Sequence, residues 1–414
     1  MWYYALNGQP QGPVGADELE RLVNAGTLTP YSLVWREGMA NWLPYRQAVQ
    51  GAPDAPAFAP PGIHASAPAR SGEPLPFVFT GLAGEYFKIW IVNVLLTVVT
   101  LGIYAAWAKV RKKRYFYANT QLAGHAFEYL ADPKRLLIGN LVVGVGFLIY
   151  SASSSIGPQV QLPLALVVMA AVPWLIARSF LFNARNSAWR GLRFGFAGRY
   201  GGAAKVFILW PMLLPFTMGL IWPLIAKKRR QWIVKRHRFG TTPFEFNAET
   251  GHYYAIYLKA LLFFLPLLVA YVLFFINVAS TGGRGTPPNV MYSGLIGVFF
   301  IAGALCAFAG GAFLRARLFT YQWSSTRLGP HSFQAGMRAR DLLGLQVVNM
   351  LVLIVSLGFA WPWVAVRTAR FQLSCIELVP VGNLDSFVAG SQPPVSALGE
   401  VAADFLDFDL GVGV

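Results

Sequence analysis

Residues 95–114 read LLTVVTLGIYAAWAKVRKKR, and this stretch decides how the chain is arranged relative to a membrane. An apolar run enters a Thr-Leu-Gly break, resumes briefly, and ends in five cations among the last six residues. A segment of this kind either crosses a membrane once or enters it and returns on the same side. The rest of the sequence bears on that choice.

The composition is that of an integral membrane protein. Charged residues make up 13% of the 414 residues and hydrophobic residues 55%, whereas a soluble protein has about 25% charged residues. Several apolar runs reach the roughly 17–25 residues that a spanning helix needs. These runs lie near 86–108, 136–156, 162–183, 204–226, 258–279, 293–314 and 342–366.

The N-terminus carries no sign of export. Met1 leads directly into WYYALNGQPQGPV, which lacks the charged and apolar regions of a signal peptide, so we expect it to stay in the cytosol. The two cysteines, Cys306 and Cys375, make neither a disulfide framework nor a zinc site. We predict no metal and no cofactor.

Positive charge is concentrated in the apolar part of the chain. Residues 85–376 hold thirty Lys and Arg against six Asp and Glu, a net charge of +24. Retention of Lys and Arg on cytosolic loops explains such a bias. The same cations would also suit anionic lipid head groups or another anionic ligand. Both interpretations stay open.

Residues 1–50 are predicted to form a separate small domain. A β-like aromatic start is followed by turn residues, a short amphipathic helix with Leu19, Leu22 and Val23 on one face, and extended segments. The module resembles a bacterial GYF-type domain of the second GYF family. The matching residues are Trp2-Tyr3-Tyr4, Gly8, Gly12-Pro13, Gly26, Val34-Trp35, Gly38-Met39 and Trp42-Leu43-Pro44.

The resemblance implies a small α+β domain that binds proline-rich peptides in an aromatic cleft. Extended polyproline stacks on aromatic rings in such clefts. The candidate cleft residues are Tyr3, Tyr4, Trp35 and Trp42. The alternative is that both tryptophans belong to the core of the domain.

Two further segments flank the apolar part. Residues 51–76 are rich in Pro, Ala, Gly and Ser, as in a linker, and Pro60-Pro61 is also a candidate internal ligand for the cleft. Residues 389–414 form an acidic tail, which is either solvated or attracted to the basic face of the membrane part.

From Phe77 onward the chain repeats itself. Four cations are each followed sixteen positions later by phenylalanine: Arg111, Arg178, Lys228 and Arg317 precede Phe127, Phe194, Phe244 and Phe333. Nine and eleven positions after these cations come Thr120, Ser187, His237 and Thr326, and Leu122, Trp189, Phe239 and Leu328. Aromatic-x-aromatic alternation predicts strands at 77–79, 127–129, 194–196 and 244–246. Phe387 is interpreted as a diverged final copy.

Three units of about 50 residues contain one apolar segment, and the two longer units contain two. The short units align with one another at four positions. These are Asn93, Trp210 and Asn349; Thr100, Thr217 and Ser356; Gly102, Gly219 and Gly358; and Arg111, Lys228 and Arg367.

This arrangement resembles the YjgN family of multi-pass bacterial inner-membrane proteins. The matching features are FTGLAGEYFKIW at 79–90, the continuation of the opening stretch to 124, and the repeated units. The resemblance covers about 77–388. It implies an inner-membrane location and the architecture, but no activity.

Charge predicts the topology. Each of the five units ends in a basic stretch, whereas residues 151–161 carry no charge and 277–293 carry only Arg284. The uncharged loops are therefore expected outside, and every basic end and both termini in the cytosol. Each short unit then enters and returns, with the Thr/Ser-x-Gly break at the tip of a re-entrant hairpin.

We favour a helical multi-pass membrane protein built from internal repeats, with four full spans and three re-entrant hairpins. Short cytosolic β-strands connect the units, and a small α+β GYF-like domain precedes them. The alternative is seven simple spans, since each short segment of about 24 residues also suits one crossing.

No spanning segment carries Asp, Glu or His near its middle, and no catalytic motif occurs, so an enzyme is not expected. His125 and His331 share a repeat position, but without acidic or thiol partners they are expected to be surface strand residues.

We predict a transport- or channel-like core for a neutral or anionic solute. The candidate lining residues, whose alternative role is helix packing, are Asn93, Thr100, Gly102, Thr217, Gly219, Asn349, Ser356 and Gly358.

The rival hypothesis is a membrane scaffold. It would bind anionic lipids through Arg111, Arg178, Lys228 and Arg317 and recruit proline-rich proteins through the N-terminal domain. The predicted partners are therefore anionic membrane lipids and a proline-rich peptide, with no nucleic acid.

Overall fold

The structure is a computed structural model that describes residues 2–6, 9–24, 28, 33–36, 43–44, 72–281, 290–382, 384 and 387. The chain divides into two compact units, 1–64 and 65–414, and each is described by itself.

The N-terminal unit is a four-stranded antiparallel sheet with one helix. Its sheet order is β2-β1-β3-β4. The elements are β1 (Trp2–Leu6), β2 (Gln9–Val14), α1 (Ala16–Asn24), β3 (Leu33–Arg36) and β4 (Leu43–Pro44). The small α+β fold predicted for this region agrees with these elements.

The core of this unit lies between α1 and one face of the sheet. Leu19 of α1 and Val34 of β3 are fully buried, and Trp2 and Leu28 complete the core. Strand alternation places Tyr3 and Trp35, which pair across β1 and β3, on the other face of the sheet.

The second unit consists of five successive strand–helix–strand segments, numbered here units 1 to 5. Each begins with a five-residue strand and ends with a strand of three or four residues. The first strands are β5 (Leu75–Phe79), β7 (His125–Tyr129), β9 (Leu192–Phe196), β11 (Thr242–Phe246) and β13 (His331–Ala335). The second strands are β6 (Thr120–Leu122), β8 (Ser187–Trp189), β10 (His237–Phe239), β12 (Thr326–Leu328) and β14 (Ile376–Val379).

Units 1, 3 and 5 each contain a pair of helices. Unit 1 contains α2 (Ala83–Val99) and α3 (Ala105–Ala118), and unit 5 contains α11 (Ala339–Val355) and α12 (Trp361–Ser374). Unit 3 contains α6 and α7 (Trp222–Arg236). Helix α6 consists of Tyr200–Ala204, a π-helical turn at Lys205–Leu209, and Trp210–Met212. Units 2 and 4 contain longer helices. Unit 2 contains α4 (Pro133–Ser153) and α5 (Pro158–Asn186). Unit 4 contains α8 (Thr250–Leu261), α9 (Leu265–Thr281) and α10 (Val290–Ser324), and a 3₁₀ turn (Leu262–Phe264) joins α8 to α9.

All ten strands of the second unit form one closed antiparallel barrel. Within each unit the two strands pair directly, as Phe77 of β5 pairs with Leu122 of β6. Hairpins join consecutive units, and β14 closes the ring by pairing with β5, Leu378 with Leu75. Strands were predicted between the units, and strands lie there. The barrel, the second strand of each unit and the closure were not predicted.

The hairpins between units have two-residue turns. The turns after β6 and β8 have positive φ at both residues, Ala123-Gly124 and Arg190-Gly191, and those after β10 and β12 have it at Gly240 and Gly329. Such turns match the right-handed twist of short antiparallel strands. The strand before each of these four turns is only three residues long.

The three helix pairs share one turn geometry. In unit 1 the turn residues Leu101 and Gly102 both have positive φ, and the Gly102 amide donates to the Thr97 carbonyl at 2.8 Å. Met218-Gly219 and Leu357-Gly358 repeat this arrangement. An amide bonded five residues back closes a Schellman-type helix end, which favours glycine. The predicted Thr/Ser-x-Gly break therefore lies at each helix–helix turn.

The tips of these helix pairs are apolar and exposed. Leu101 is 94% exposed, Met218 93% and Leu357 88%. Water would disfavour three such tips, whereas hydrocarbon would not.

Four helices in the described part of the chain are long and apolar enough to cross a membrane: Pro133–Ser153, Pro158–Asn186, Thr250–Ala279 and Gly294–Ser324. They are the four segments predicted as full spans. The three short segments that the seven-span alternative requires are instead broken into helix pairs. Both ends of each pair lead into adjacent strands of the barrel.

Candidate functional site

A ring of ten large apolar side chains lines the inside of the barrel, one from each strand. The odd-numbered strands contribute Phe77, Phe127, Phe194, Phe244 and Phe333, and the even-numbered strands contribute Leu122, Trp189, Phe239, Leu328 and Leu378. The two members from each unit are direct cross-strand partners. Nine of the ten, all but Phe77, lie eleven or sixteen residues after one of the aligned cations Arg111, Arg178, Lys228, Arg317 and Arg367. The spacing found in the sequence is therefore the spacing of this ring.

The phenylalanines of the odd-numbered strands stack around the ring. The ring centroids of Phe77 and Phe127 are 6.2 Å apart, those of Phe127 and Phe194 6.4 Å, and those of Phe244 and Phe333 6.3 Å. Phe77, Phe127, Phe194 and Phe244 are only partly buried although they face the inside of a closed barrel. Their free surface lines a cavity of about 260 Å³, called here the chamber.

A layer of smaller, polar side chains lies between the ring and the helices. It consists of the residues nine positions after the repeat cations: Thr120, Ser187, His237 and Thr326, all of which line the chamber. The threonine hydroxyls donate to carbonyls one turn back in α3 and α10, to Phe116 and Gln322, each at 2.8 Å. These bonds satisfy helix carbonyls that would otherwise lack partners.

Four cations line the helix side of the chamber. Lys109, Lys112 and Lys113 come from one face of α3, at the i, i+3, i+4 spacing that places side chains together, and Arg230 comes from α7. No aspartate or glutamate is among the described side chains that line the chamber. The chamber is therefore apolar on the barrel side and positively charged on the helix side.

A hydrogen bond and an aromatic ring hold one of these cations. The Lys113 ammonium is buried, donates to Asn183 Oδ1 of α5 at 3.1 Å, and lies 5.5 Å from the centroid of the Tyr129 ring. Since α3 belongs to unit 1 and α5 to unit 2, this contact joins neighbouring units. Burial lowers the pKa of the Arg230 guanidinium from its usual value.

His237 is the titratable member of the polar layer, and it is held in its neutral form. Burial lowers the pKa of its imidazole from 6.5 to about 4, and the charge of Arg230 acts in the same direction. Its Nδ1 lies 2.8 Å from the Ile233 carbonyl, so the proton sits on Nδ1 and donates to that oxygen. Nε2 is then a hydrogen-bond acceptor.

The turn side of the barrel is covered by residues that follow β14. Leu384 is buried in the barrel core, and the Phe387 ring lies 4.9 Å from Phe239 and 5.2 Å from His331. The Val381 amide donates to His331 Nδ1 at 3.1 Å. Phe387, which the sequence suggests is a diverged final copy of the repeat, thus packs across the end of the barrel. The strand that follows the last unit's second strand in the ring is β5, which pairs with β14.

Comparison with known proteins identifies the family. The model of the family described as "Bacterial protein of unknown function (DUF898)" matches residues 74–405. The chain belongs to this family. Residues 2–48 match the model of GYF domain 2, in agreement with the resemblance of the N-terminal module.

Curated relatives of this family member carry the YjgN name expected from the sequence. The chain is 35% identical over 153 residues to inner membrane protein YjgN of Salmonella typhimurium, a match that covers 36% of this chain and 38% of that protein. It is 34% identical over 152 residues to inner membrane protein YjgN of Escherichia coli O157:H7, with the same coverage. The match spans less than half the length of either relative. No solved structure matches the chain.

The predicted solute-lining residues lie within the helix pairs rather than around the chamber. Asn93 is buried and donates to the Ala108 carbonyl at 3.4 Å, and Asn349 donates to the Thr368 hydroxyl at 3.1 Å, so both join the two helices of a pair. Thr100, Thr217 and Ser356 bond to carbonyls of their own turns, next to Gly102, Gly219 and Gly358. Their lining role stays a prediction, and their contacts are those of helix packing.

The predicted lipid-contact cations lie outside the chamber. Arg111 and Arg317 are exposed, and Arg178 and Lys228 are partly exposed. Arg178 and Arg317 lie over the rings of Trp174 and Phe313, at 5.6 Å and 5.7 Å. Arg367 lies over Trp363 in the same way at 5.0 Å. Cations paired with aromatic rings one helical turn away are typical of a membrane–water interface.

The candidate peptide-binding aromatics occupy two faces of the N-terminal sheet. Tyr3 and Trp35 are partly exposed and their ring centroids are 5.8 Å apart, whereas Tyr4 packs against the core. Trp42 lies outside the described residues. A cleft assignment, still a prediction, therefore rests on Tyr3 and Trp35.

The two histidines considered as a pair differ from one another. His125 is exposed on β7, but His331, expected on the surface, is 1% exposed because Val381 and Phe387 cover it. Among the described residues, no group of three or more His, Cys, Asp or Glu side chains is placed to hold a metal ion.

Sequence reasoning missed the chamber cations. In the sequence, Lys109, Lys112 and Lys113 belong to the same basic helix end as Arg111. A helical projection of 105–118 separates them, because Arg111 lies on the opposite face from Lys109 and Lys113. Arg230 occupies the position in unit 3 that corresponds to Lys113, two residues after the repeat cation.

Proposed function

We propose that the chain is an inner-membrane protein with a transport- or channel-like role, in which the chamber receives an anionic solute. The observation that carries this proposal is the chamber itself: about 260 Å³ inside a barrel, with an aromatic wall, four cations and no carboxylate among its described lining residues. A positive potential in a cavity lined mostly by apolar side chains favours anions over neutral solutes and metal cations.

The barrel supports a definite arrangement in the membrane. Because each helical segment leaves the barrel and returns to it, each crosses the bilayer an even number of times. The four long helices then cross as two pairs, and the three helix pairs enter as re-entrant hairpins. With basic helix ends on the cytosolic side, the barrel and both termini are cytosolic. We interpret the five units as internal repeats.

The role proposed is binding and movement of a solute rather than catalysis. Among the described residues that line the chamber, the ionisable groups are four cations, Tyr117 and the neutral His237, which do not make up a nucleophile activated by a base.

A flux measurement tests this proposal. Purified protein in liposomes should carry benzenesulfonate, a small anion that stays charged at every working pH, and calorimetry should detect its binding. The double variant Lys109→Gln/Lys112→Gln should lose at least ten-fold in binding. The matched control Lys134→Gln/Arg135→Gln, at the exposed start of α4, should not. Absence of both binding and flux would remove the anion proposal.

One observation favours a second candidate, the membrane scaffold. The apolar windows of the four long helices are only 6–22% buried within the protein. Transport sites are usually enclosed between packed helices near the bilayer midplane, whereas these helices offer most of their surface to lipid or to other proteins. Binding of benzenesulfonate without flux would favour the scaffold.

The N-terminal domain is proposed as the cytosolic adaptor for proline-rich peptides. In the full chain, Trp35→Ala should abolish binding of a labelled proline-rich peptide, measured by fluorescence anisotropy. Arg21→Ala, at an exposed position of α1, should leave it unchanged. Equal binding by both variants would contradict the cleft assignment.

A further inference from the structure

The two sides of the chamber differ in a way that a small solute does not require. The barrel side presents stacked phenylalanines whose exposed faces border empty space, and the helix side presents four cations. A small anion would use the cations and leave the aromatic wall uncovered. Leaving apolar surface uncovered costs roughly 25 cal/mol for every Å². The wall therefore indicates a ligand with an apolar part as well as an anionic group.

The volume of the chamber suits a single alkyl chain. About 260 Å³ lies just below the range of roughly 300–1,000 Å³ that is usual for small-molecule pockets. It equals the liquid volume of roughly nine waters at about 30 Å³ each, and a methylene group is slightly smaller than a water. A single chain of roughly eight to ten carbons fills this volume.

The surroundings of the chamber indicate the side from which such a ligand enters. Leu384 and Phe387 pack across the turn side of the barrel. On the other side, Lys113 is twelve residues from Leu101 at the exposed apolar tip, a distance of about 18 Å at 1.5 Å per helical residue. If the tips lie in hydrocarbon, the cations lie near the level of lipid head groups.

We propose that the chamber binds a single-chain anionic amphiphile of the fatty-acid class. The anionic group contacts Lys109, Lys112, Lys113 and Arg230, and the chain lies among Phe77, Phe127, Phe194 and Phe244. This inference rests on the proposed function, because it names the class of anion that the chamber receives. The ligand comes from the membrane leaflet rather than from the cytosol.

The test is equilibrium binding to the full chain in nanodiscs of zwitterionic lipid. The probes are butyrate, hexanoate, octanoate, decanoate and hexadecanoate, with decanol as the uncharged counterpart and decyl phosphate as the phosphate counterpart. After subtraction of partitioning into empty nanodiscs, affinity should rise about four-fold for each added methylene and level off near ten carbons. Decanoate should bind at least ten-fold more tightly than decanol.

Two variants keep the test specific. Lys109→Gln/Lys112→Gln should remove the preference for decanoate over decanol, and the control Lys134→Gln/Arg135→Gln should keep it. Leu122→Phe, which adds volume inside the ring, should shift the plateau to a shorter chain. The melting temperature of each variant shows whether it is folded. A folded Leu122→Phe variant with an unchanged plateau would place the chain outside the chamber and overturn the inference.

The remaining outcomes separate the inference from the proposed function. If benzenesulfonate and butyrate bind as tightly as decanoate, the amphiphile inference fails and the anion proposal stands. If neither the short anions nor the amphiphiles bind, both fail. If decyl phosphate binds more tightly than decanoate, the head group of the ligand is a phosphate. If decanoate binds more tightly than decyl phosphate, the head group is a carboxylate.

Discussion

The turn residues explain why a short motif recurs three times at wide spacing. Leu101, Met218 and Leu357 occupy left-handed backbone conformations, each followed by a glycine that shares this conformation. In units 1 and 5 the hydroxyl two residues before the glycine also accepts a hydrogen bond, from the Tyr104 amide at 2.9 Å and the Ala360 amide at 3.1 Å. The sequence predicted this break because its glycine and hydroxyl are local requirements of a tight helix–helix turn.

A glycine substitution tests that account. Gly358 has a φ of +89°, and no neighbouring atom lies within 4 Å of the place that a Cβ would take, so Gly358→Ala should cost about 1 kcal/mol of stability through backbone strain alone. Gly344 lies inside α11 with equally open surroundings, and Gly344→Ala should stabilise by about 1 kcal/mol through helix propensity. Unfolding in mixed micelles should show changes of opposite sign. Two changes of the same sign would contradict the turn geometry.

His237 makes stability depend on pH. Because burial lowers its pKa from 6.5 to about 4, the unfolded chain binds a proton at pH 5 that the folded chain does not. The stability from this group is complete above about pH 6.5 and is lost as the pH falls toward 4, by about 2 kcal/mol at pH 5. Burial lowers the pKa of His331 too, so it adds to the loss.

The other units supply a conservative substitution that tests the role of His237. His237→Thr places at this position the residue that units 1 and 4 carry, and it should reduce the fall in unfolding free energy between pH 7 and pH 5. His125→Gln, at an exposed ring on β7, is the control and should keep the fall. An undiminished fall in His237→Thr would show that another group titrates.

At the scale of elements, the sequence predicted the first strand of four units and missed the second strand of all five. Phe77-Val-Phe79 and its equivalents alternate over five-residue strands. Residues 120–122 and 187–189 are too short to show a period. The repeat positions nine and eleven residues after each cation are two residues apart. Two residues that are two positions apart in a strand lie on the same face, so this spacing is itself a strand pattern. The signal was present without being recognised as a strand.

The local sequence pattern does not predict that the barrel closes. It pairs Leu75 with Leu378 and Pro76 with Glu377, residues about 300 positions apart. Nothing in either strand alone identifies its partner. What favours closure is physical: a ten-stranded sheet with free edges would leave rows of unpaired amides and carbonyls.

A crosslink tests this strand pairing. In a chain with Cys306 and Cys375 replaced by serine, Pro76→Cys/Glu377→Cys should form a disulfide on mild oxidation, because paired Cα atoms lie within disulfide reach. Trypsin digestion and mass spectrometry identify the linked peptides. The control pair Pro76→Cys/Glu245→Cys, with its second cysteine on β11, should stay reduced. Equal oxidation of both pairs would contradict the closed order.

For the whole molecule, charge and hydropathy lead to different predictions for the three short apolar segments. Seven apolar runs are present, but the described structure contains four helices of spanning length and three helix pairs with exposed tips. The barrel brings the ends of all five units together, and the basic stretches at those ends keep the prediction that all of them face the cytosol. The chamber escaped prediction, since it forms only where five separate units contribute side chains to one ring.

The most direct test of the account is the side of the membrane on which the unit ends lie. Single cysteines at Arg111, Arg236, Arg370 and Ser155, all exposed positions, are introduced into the chain without its native cysteines. An impermeant maleimide is then applied to intact spheroplasts. The account predicts labelling at Ser155, between α4 and α5, and protection at the other three until the membrane is opened. Seven simple spans would instead expose Arg111 and Arg370, and labelling of either from outside would contradict a single cytosolic barrel.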